Sequence, residues 1–465
     1  MTLLIRTLLF KSKKEEPIVL EPIEFDREKA TKDLKELIKC KTISYTDNSL
    51  EDNAEFIKLE EYTKKAFPLV YKTTEFTKVG TRGLLFKWSG LSSESPAVLM
   101  AHYDVVPVEE SGWKLPPFSG EIIDGELWGR GTLDTKCTFN AVLQAAEKLI
   151  EDGFTPKNDI YMAFAGDEET AGSHASSIVN ILKEKGVVPK IVVDEGGAVV
   201  DNVFPGVKKR SALIGIAEKG FADIKYTVKG SGGHSSTPPR QTPISILSKA
   251  CLKVNNTPFK MRLTKPALEM FDTLGRESKS FPIKLIFANL WLFKGLLGKM
   301  ASMLGGEMNA LVRTSTVFTQ MKGSDAMNVI PPEASMLSNH RIIHGETVQS
   351  TLEFLKKTVN DKRVELEVVY GNDPSRISET KGTEGYEILR NTIREVWNDV
   401  IVSPYLMLAA SDSRHYGLIS DRVYRFSPLN LTKDQRKLIH SNDERIKISE
   451  IEKSVEFYIR LVTKL

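Results

Sequence analysis

Acidic and imidazole side chains follow three apolar segments of the chain, at residues 97–100, 160–165 and 191–193. These polar groups are His102 with Asp104, the run Asp167-Glu168-Glu169, and Asp194. The apolar segments predict parallel strands, and the carboxyl ends of such strands meet at one edge of an open α/β sheet. We therefore expect the three groups to converge there. Two further candidates are Asp134, just before a predicted helix, and His440 near the C-terminus.

Carboxylates crowded at one sheet edge would repel one another, and divalent cations would remove that repulsion. Mixed histidine and carboxylate ligands suit zinc, with cobalt or manganese as competitors. No cysteine stands among the candidates, so a closed structural zinc site is not indicated. Taken alone, His102 could be a core histidine and Asp134 a helix cap. Their joint placement instead favours a pair of metal ions that activates water for hydrolysis.

The elements that would position these residues alternate between strand and helix in the first half of the chain. Helical patterns at 139–150 and 176–185 separate the apolar segments. This alternation predicts an α/β domain, a mainly parallel sheet with helices on both faces. The pattern returns after about Ser378, which predicts a catalytic domain made of residues 1–214 and 379–465.

Between these two parts, residues 215–378 read in the order β-α-β-β-α-β. That order is typical of a ferredoxin-like α+β domain. The connection at about 255–313 is too long for a simple loop and predicts an inserted helical segment. Its apolar stretch, 285–304, would form the core of the insert or an apolar wall for bulky or fatty-acyl substrates.

Short motifs spread over most of the chain resemble the dinuclear zinc metallopeptidases. That family includes aminoacylase, glutamate carboxypeptidase and succinyl-diaminopimelate desuccinylase. The matching runs are HYDVVP at 102–107, WGRGTLD at 128–134, DEE at 167–169, GGHSS at 232–236 and NVIP at 328–331, with Asp194 and His440. Runs at 288–293, 411–416 and 424–428 are closest to the branch of carboxypeptidase S and N-acyl-amino-acid hydrolases.

The resemblance implies a role for each residue. One metal would take His102, Asp134 and Asp194, and the other would take Asp134, Glu169 and His440. Asp104 would orient the His102 ring, and Glu168 would be the general base. The domain at 215–378 would be a lid, from which His234 would reach over to stabilise the oxyanion. Asn328, Arg341, Ser413 and Arg414 would bind the substrate. Either arginine could instead form a surface or interdomain ion pair.

The whole chain narrows the choice of partners. Its 465 residues carry a formal net charge of +3 and no long basic run, so nucleic acid is not an indicated partner. Its three cysteines favour a reducing compartment, and we expect a cytoplasmic protein. Residues 1–10 are too short to span a bilayer and predict a frayed or loosely docked tail, with a weak helix on a membrane surface as the alternative. Residues 283–304 predict an amphipathic or buried helix, and a homodimer through the lid is compatible with the family.

These observations predict a hydrolase that cleaves an amide bond next to a free carboxylate, in a small peptide or an N-acyl-amino acid. The alternative is a non-catalytic amino-acid or peptide binding protein on the same fold. Metal content together with hydrolysis of N-acetyl-amino acids would distinguish the two. A nucleotide-binding α/β enzyme is excluded. The chain has neither of the glycine-rich loops that bind phosphate, Gly-x-Gly-x-x-Gly and Gly-x-x-x-x-Gly-Lys.

Overall fold

The structure, a computed structural model, describes residues 1–12, 16, 18 and 20–465. Its strands are β1 (Glu75–Val79), β2 (Gly83–Trp88), β3 (Ser92–His102), β4 (Ile122–Ile123), β5 (Glu126–Trp128), β6 (Asn158–Ala165), β7 (Ile191–Asp194), β8 (Val199–Val200), β9 (Ser211–Glu218), β10 (Gly220–Lys229), β11 (Gly233–His234), β12 (Ser315–Lys322), β13 (Val329–Ile330), β14 (Glu333–Ile342), β15 (Val364–Asn372), β16 (Ile401–Met407), β17 (Val423–Arg425), β18 (Asn430–Leu431) and β19 (Arg445–Lys447). Its helices are α1 (Thr2–Leu9), α2 (Arg27–Ile38), α3 (Asn53–Ala66), α4 (Pro68–Thr73), α5 (Lys136–Glu151), α6 (His174–Glu184), α7 (Pro243–Asn255), α8 (Lys265–Glu277), α9 (Phe281–Ala288), α10 (Leu290–Leu304), α11 (Gly306–Ala310), α12 (Val348–Val359), α13 (Glu384–Val396), α14 (Lys433–Arg436) and α15 (Ile448–Val462).

The larger sheet has ten strands, ordered β1-β2-β6-β3-β7-β17-β9-β8-β18, with β16 paired to β9. Its centre, from β6 to β17, is parallel, and antiparallel pairs flank it. Side chains alternate along β3, so Leu99 packs with the α2 and α5 side of the sheet and Met100 packs with α6. Both faces are therefore covered, which explains why these strands read as continuous apolar runs.

Three neighbouring parallel strands end beside one another at one edge of this sheet. In the order β6, β3 and β7 they end at Ala165, His102 and Asp194. The polar residues that follow them are thus placed together by the sheet itself.

The smaller sheet has four antiparallel strands in the order β12-β14-β10-β15. Helices α7 and α12 pack on it and share a separate hydrophobic core that includes Ile224, Leu247 and Leu355. The chain order β10-α7-β12-β14-α12-β15 is the ferredoxin-like order. The predicted fold class, an α/β domain with a smaller α+β domain, is confirmed.

The inserted helices do not pack in that smaller core. Phe271 of α8, Phe287 of α9 and Leu297 of α10 lie in the core of the large sheet, and α8 contacts β16. The Thr380 hydroxyl also donates to Glu269 of α8, at 2.8 Å. The sequence interpretation had assigned residues 255–313 to the smaller domain. An amphipathic pattern shows that a helix buries one face, but it does not identify the surface that covers it.

The N-terminal helix α1 docks on α9. The buried Asn289 amide, between α9 and α10, lies 3.4 Å from the Leu3 carbonyl and 3.3 Å from the Thr7 hydroxyl. Among the described residues, no single helix is long and apolar enough to cross a bilayer. Helices α9 and α10 pass that test of length and composition only as a pair, and they are bent by 116°.

Candidate metal centre and active site

His102, the last residue of β3, holds the buried half of the candidate centre. Its Nε2 lies 3.0 Å from Asp134 Oδ1 and 3.2 Å from Glu195 Oε1. On the other side of the ring, Nδ1 lies 3.0 Å from the Asp104 carbonyl oxygen and 3.4 Å from its carboxylate. Asp104 therefore fixes the ring orientation, and the other nitrogen is directed at the two acids.

His440 holds the accessible half. Its Nε2 lies 3.0 Å from Asp134 Oδ2 and 3.1 Å from Glu169 Oε2. The His440 side chain is 49% exposed and that of His102 only 2%, so solvent reaches the two halves unequally. In each group of three residues the candidate ligand atoms lie within 4.8 Å of one another. Asp134 belongs to both groups, with one carboxylate oxygen directed at each.

The loop that carries Asp134 is held by a buried acid that sequence reasoning missed. The Glu444 carboxylate accepts backbone N–H groups from Leu133 at 2.7 Å and Gly131 at 3.1 Å, and it pairs with Arg130 at 2.6 Å. Both its partners and its position support a structural role, because it fixes the backbone just before the shared carboxylate. Its signal in the sequence is weak: it stands four residues after His440 in a polar run.

The loop that carries Glu168 and Glu169 is held by Asp104. Both backbone N–H groups donate to the Asp104 carboxylate at 3.1 Å. At the other end of the loop, His174 Nδ1 lies 2.6 Å from the Asp167 carboxylate. The Glu169 side chain points to the accessible half of the centre, whereas Glu168 belongs to neither group of candidate ligands.

The charges at this edge fit a site for cations. Burial raises the pKa of Glu168 and Glu195 well above the ordinary value, and it also raises the pKa of Glu169. Hydrogen bonds to Asp134 and Glu169 raise the pKa of His440 to about 10. Glu169 Oε1 is buried and has no hydrogen-bond partner among the described residues. Crowded buried carboxylates with an unused lone pair are the donors that divalent cations bind.

Glu195, and not Asp194, lies beside His102 and Asp134. The Asp194 carboxylate instead accepts the backbone N–H of Ser413 at 3.0 Å. The prediction named Asp194 as the ligand, and the geometry favours its neighbour. Because side chains alternate along a strand and its continuation, two adjacent acids point to different sides.

Asp194 borders a buried polar network that links two distant parts of the chain. The Ser411 and Ser413 hydroxyls donate to Glu218 Oε1 at 2.9 and 3.0 Å, and Arg425 pairs with the same carboxylate. Ser413 is therefore engaged with protein groups. Neighbouring Asp412 is buried with both carboxylate oxygens unpartnered among the described residues, and burial raises its pKa.

The remaining predicted site residues lie outside the metal centre. His234 is exposed, and its Nδ1 lies 2.7 Å from the Ser236 hydroxyl. Asn328 is its neighbour, since the Asn328 carbonyl accepts the Ser235 backbone N–H at 3.0 Å.

The two arginines predicted to bind substrate also lie apart from the candidate ligands. Arg341 lies near the end of β14, with its guanidinium 5.8 Å from the centre of the Phe221 ring. Arg414 donates to the Ser411 carbonyl at 3.2 Å, and its Nε has no partner in the described part of the chain.

Comparison with known proteins identifies the family. Residues 98–464 match the model of Peptidase family M20/M25/M40. The chain is 37% identical to N-fatty-acyl-amino acid synthase/hydrolase PM20D1 of Xenopus tropicalis, over 98% of this chain and 90% of the relative. It is 29% identical to carboxypeptidase S of Saccharomyces cerevisiae, over 84% and 76%.

A solved structure agrees with this assignment at the level of the fold. The M20 family metallo-carboxypeptidase Sso-CP2 from Sulfolobus solfataricus has a TM-score of 0.68 at 17% identity, over 93% of this chain and 98% of that one. The chain therefore belongs to peptidase family M20/M25/M40 and is a metal-dependent amide hydrolase.

Proposed function

We propose that the chain hydrolyses N-acyl-amino acids and small peptides that carry a free carboxylate, with two divalent cations in its centre. His102, Asp134 and Glu195 would hold one cation, and Asp134, Glu169 and His440 the other. The observation that carries this proposal is the shared Asp134, which directs one oxygen at each histidine. Imidazole and carboxylate donors favour zinc, with cobalt or manganese as alternatives. Bound cations would polarise the amide carbonyl and make water more acidic.

Glu168 is the residue best placed to move protons. It is a half-buried residue next to Glu169 in the chain, it belongs to neither group of candidate ligands, and its backbone N–H is held by Asp104. Glu168 would take a proton from the attacking water as the new C–O bond forms. It would give that proton to the amine nitrogen as the C–N bond breaks.

Two observations support the substrate class. The frog relative is named for fatty-acyl-amino acids and the yeast relative for carboxypeptidase activity, and both kinds of substrate have a free carboxylate beside the amide. Arg414 and Arg341 are the cationic candidates for that carboxylate, because a guanidinium binds it through two parallel hydrogen bonds. A cavity of about 330 Å³ also borders Glu169, with Tyr45, Leu50 and Val106 in its lining.

A matched pair of substrates tests the proposal. N-acetyl-amino acids and long-chain N-acyl-amino acids would be compared with the same compounds amidated at the carboxylate, after loading with zinc, cobalt or manganese. We expect hydrolysis of the free acids only, and the ratio of rates on acetyl and long-chain substrates would identify the preferred acyl class. Equal rates on free and amidated substrates would show that the enzyme does not require a free carboxylate, which contradicts the proposal.

A further inference from the structure

Helix α1 presents its apolar face to solvent. The side chains of Leu4, Ile5, Leu8 and Leu9 are 53%, 47%, 61% and 74% exposed. At 100° per residue these four lie on one face, and the face that packs on the protein carries Leu3 and the buried Thr7. A helix in a water-soluble protein normally buries its apolar face, so this orientation is the reverse of the usual one.

Helices α9 and α10 add a second exposed apolar surface next to α1. Phe281, Trp291, Leu292 and Met303 are 48%, 60%, 49% and 87% exposed. Asn289 joins the two surfaces, because its amide contacts the backbone and hydroxyl of α1 at the point where α9 turns into α10. We use the name apolar platform for the exposed apolar residues of α1, α9 and α10 together with the exposed lysines among them, Lys294 and Lys299. Patches of this kind on a protein surface indicate a partner.

The charge around the platform is one-sided. Residues 1–12 and 278–306 contain six basic residues and no acidic one, although the whole chain carries a net charge of only +3. Lys294 and Lys299 are exposed on α10 among the apolar side chains. The nearest acids in sequence are Glu15 after the first stretch, and Glu277 and Glu307 on either side of the second. The platform is therefore cationic, and the remainder of the chain is anionic.

We infer that the platform docks on the surface of an anionic lipid bilayer, without spanning it. An interfacial helix has an apolar face that enters the acyl boundary and lysines or arginines that meet the headgroups. The platform has both, together with Trp291, since tryptophan is enriched at the membrane–water interface. The bend of 116° between α9 and α10 fits two helices that lie along a surface.

Co-sedimentation with vesicles tests the inference on the full chain. Vesicles of phosphatidylcholine alone would be compared with vesicles of equal parts phosphatidylcholine and phosphatidylserine. We expect binding to the anionic vesicles that weakens as salt is raised. Leu8→Glu should lower the partition coefficient by about tenfold or more. Lys294→Glu combined with Lys299→Glu should lower it by at least about tenfold.

Matched controls lie elsewhere on the surface. Leu91→Glu changes an 81% exposed leucine before β3, and Lys64→Glu with Lys65→Glu reverses two exposed charges on α3. These controls should bind vesicles like the unchanged chain. Circular dichroism would show that each variant folds. The inference is overturned if no vesicle is bound, if neutral vesicles bind equally well, or if the controls lose as much binding. It is also overturned if the platform variants only abolish self-association in sedimentation without lipid.

Discussion

The candidate site residues at the edge of the large sheet and those in the glycine-rich loop at 229–239 differ in how firmly hydrogen bonds hold them. At the edge, the His102 ring is held by Asp104 and Asp134, the Glu444 carboxylate fixes the backbone before Asp134, and the Asp104 carboxylate fixes the backbone of Glu169. In the loop, His234 is exposed and its ring contacts Ser236. The residues that would hold cations are therefore preorganised, whereas the candidate oxyanion donor would have to be brought in by movement. Each of the following changes tests one side of that comparison.

The largest effect should come from Asp134→Ala, because both halves of the centre share this carboxylate. We expect the loss of both ions and of detectable hydrolysis. Elemental analysis after dialysis would show a fall from about two bound ions per chain to near none. Asp152→Ala, at an exposed helix end, is the control and should keep both ions. Retention of two ions by Asp134→Ala would show that the centre is not assembled around it.

The next effect separates Glu195 from Asp194. Glu195→Gln should lose the ion at the buried half and leave about one per chain, since a neutral amide is a poor ligand. Asp194→Asn should keep both ions, because Asp194 contacts Ser413 and not His102. The reverse result would return Asp194 to the set of ligands. The two variants differ by a single position, so they control for each other.

This pair also shows what the sequence could and could not determine about the site. The convergence of His102 and Glu169 could be predicted, because polar residues at parallel strand ends meet at one edge. Asp134 and His440 follow no such strand, and only the family resemblance implied their place in the centre. The choice between Asp194 and Glu195 could not, because one step along an extended chain changes the side to which a residue points. Glu444 was missed for a different reason, since its contacts are to backbone groups more than 300 positions away.

The fold also has features that the sequence predicted and features that it did not. Local periodicity predicted both sheets and the ferredoxin-like order of the smaller one. It did not predict that α8 would pack on β16, because that contact depends on the tertiary arrangement and not on local propensity. Similarly, the sequence left residues 1–10 as a loosely docked tail or a weak interfacial helix, and only the structure shows a docked helix whose apolar face is exposed.

A third change leaves the cations in place. Glu168→Gln should retain both ions and lower kcat by about 10³-fold, within the range of a lost general base. KM should change little, because Glu168 would act on the proton and not on substrate affinity. Its neighbour supplies the control, since Glu169→Gln should lose the accessible ion. A Glu168→Gln variant that lacks an ion, and recovers when metal is added, would make Glu168 a ligand.

The smallest of these effects, and the one that tests the loop, should come from His234→Ala. A donor that meets negative charge only in the transition state lowers kcat more than it raises KM when it is lost. We expect a fall in kcat of about 10²-fold, with both ions retained. His234→Gln keeps an N–H donor and should recover part of the rate. Ser236→Ala removes the hydroxyl contact to the ring but keeps the backbone N–H that donates to His234 Nδ1, so it should have a smaller effect.

If His234 stabilises the oxyanion, it would have to reach the centre, from its own chain or from a partner's. Ile216 in β9 and Ser378 after β15 lie on either side of the smaller sheet in the chain, and the Ser378 N–H donates to the Ile216 carbonyl at 2.8 Å, so a hinge would lie close to this pair. The inserted helices add two further connections, because they return to the core of the large sheet. A disulfide or other link that restrains the smaller sheet should therefore lower kcat by the same factor as His234→Ala, without loss of metal. If His234→Ala is fully active, the histidine is only a polar residue in a turn where Gly232 has a φ of +65°.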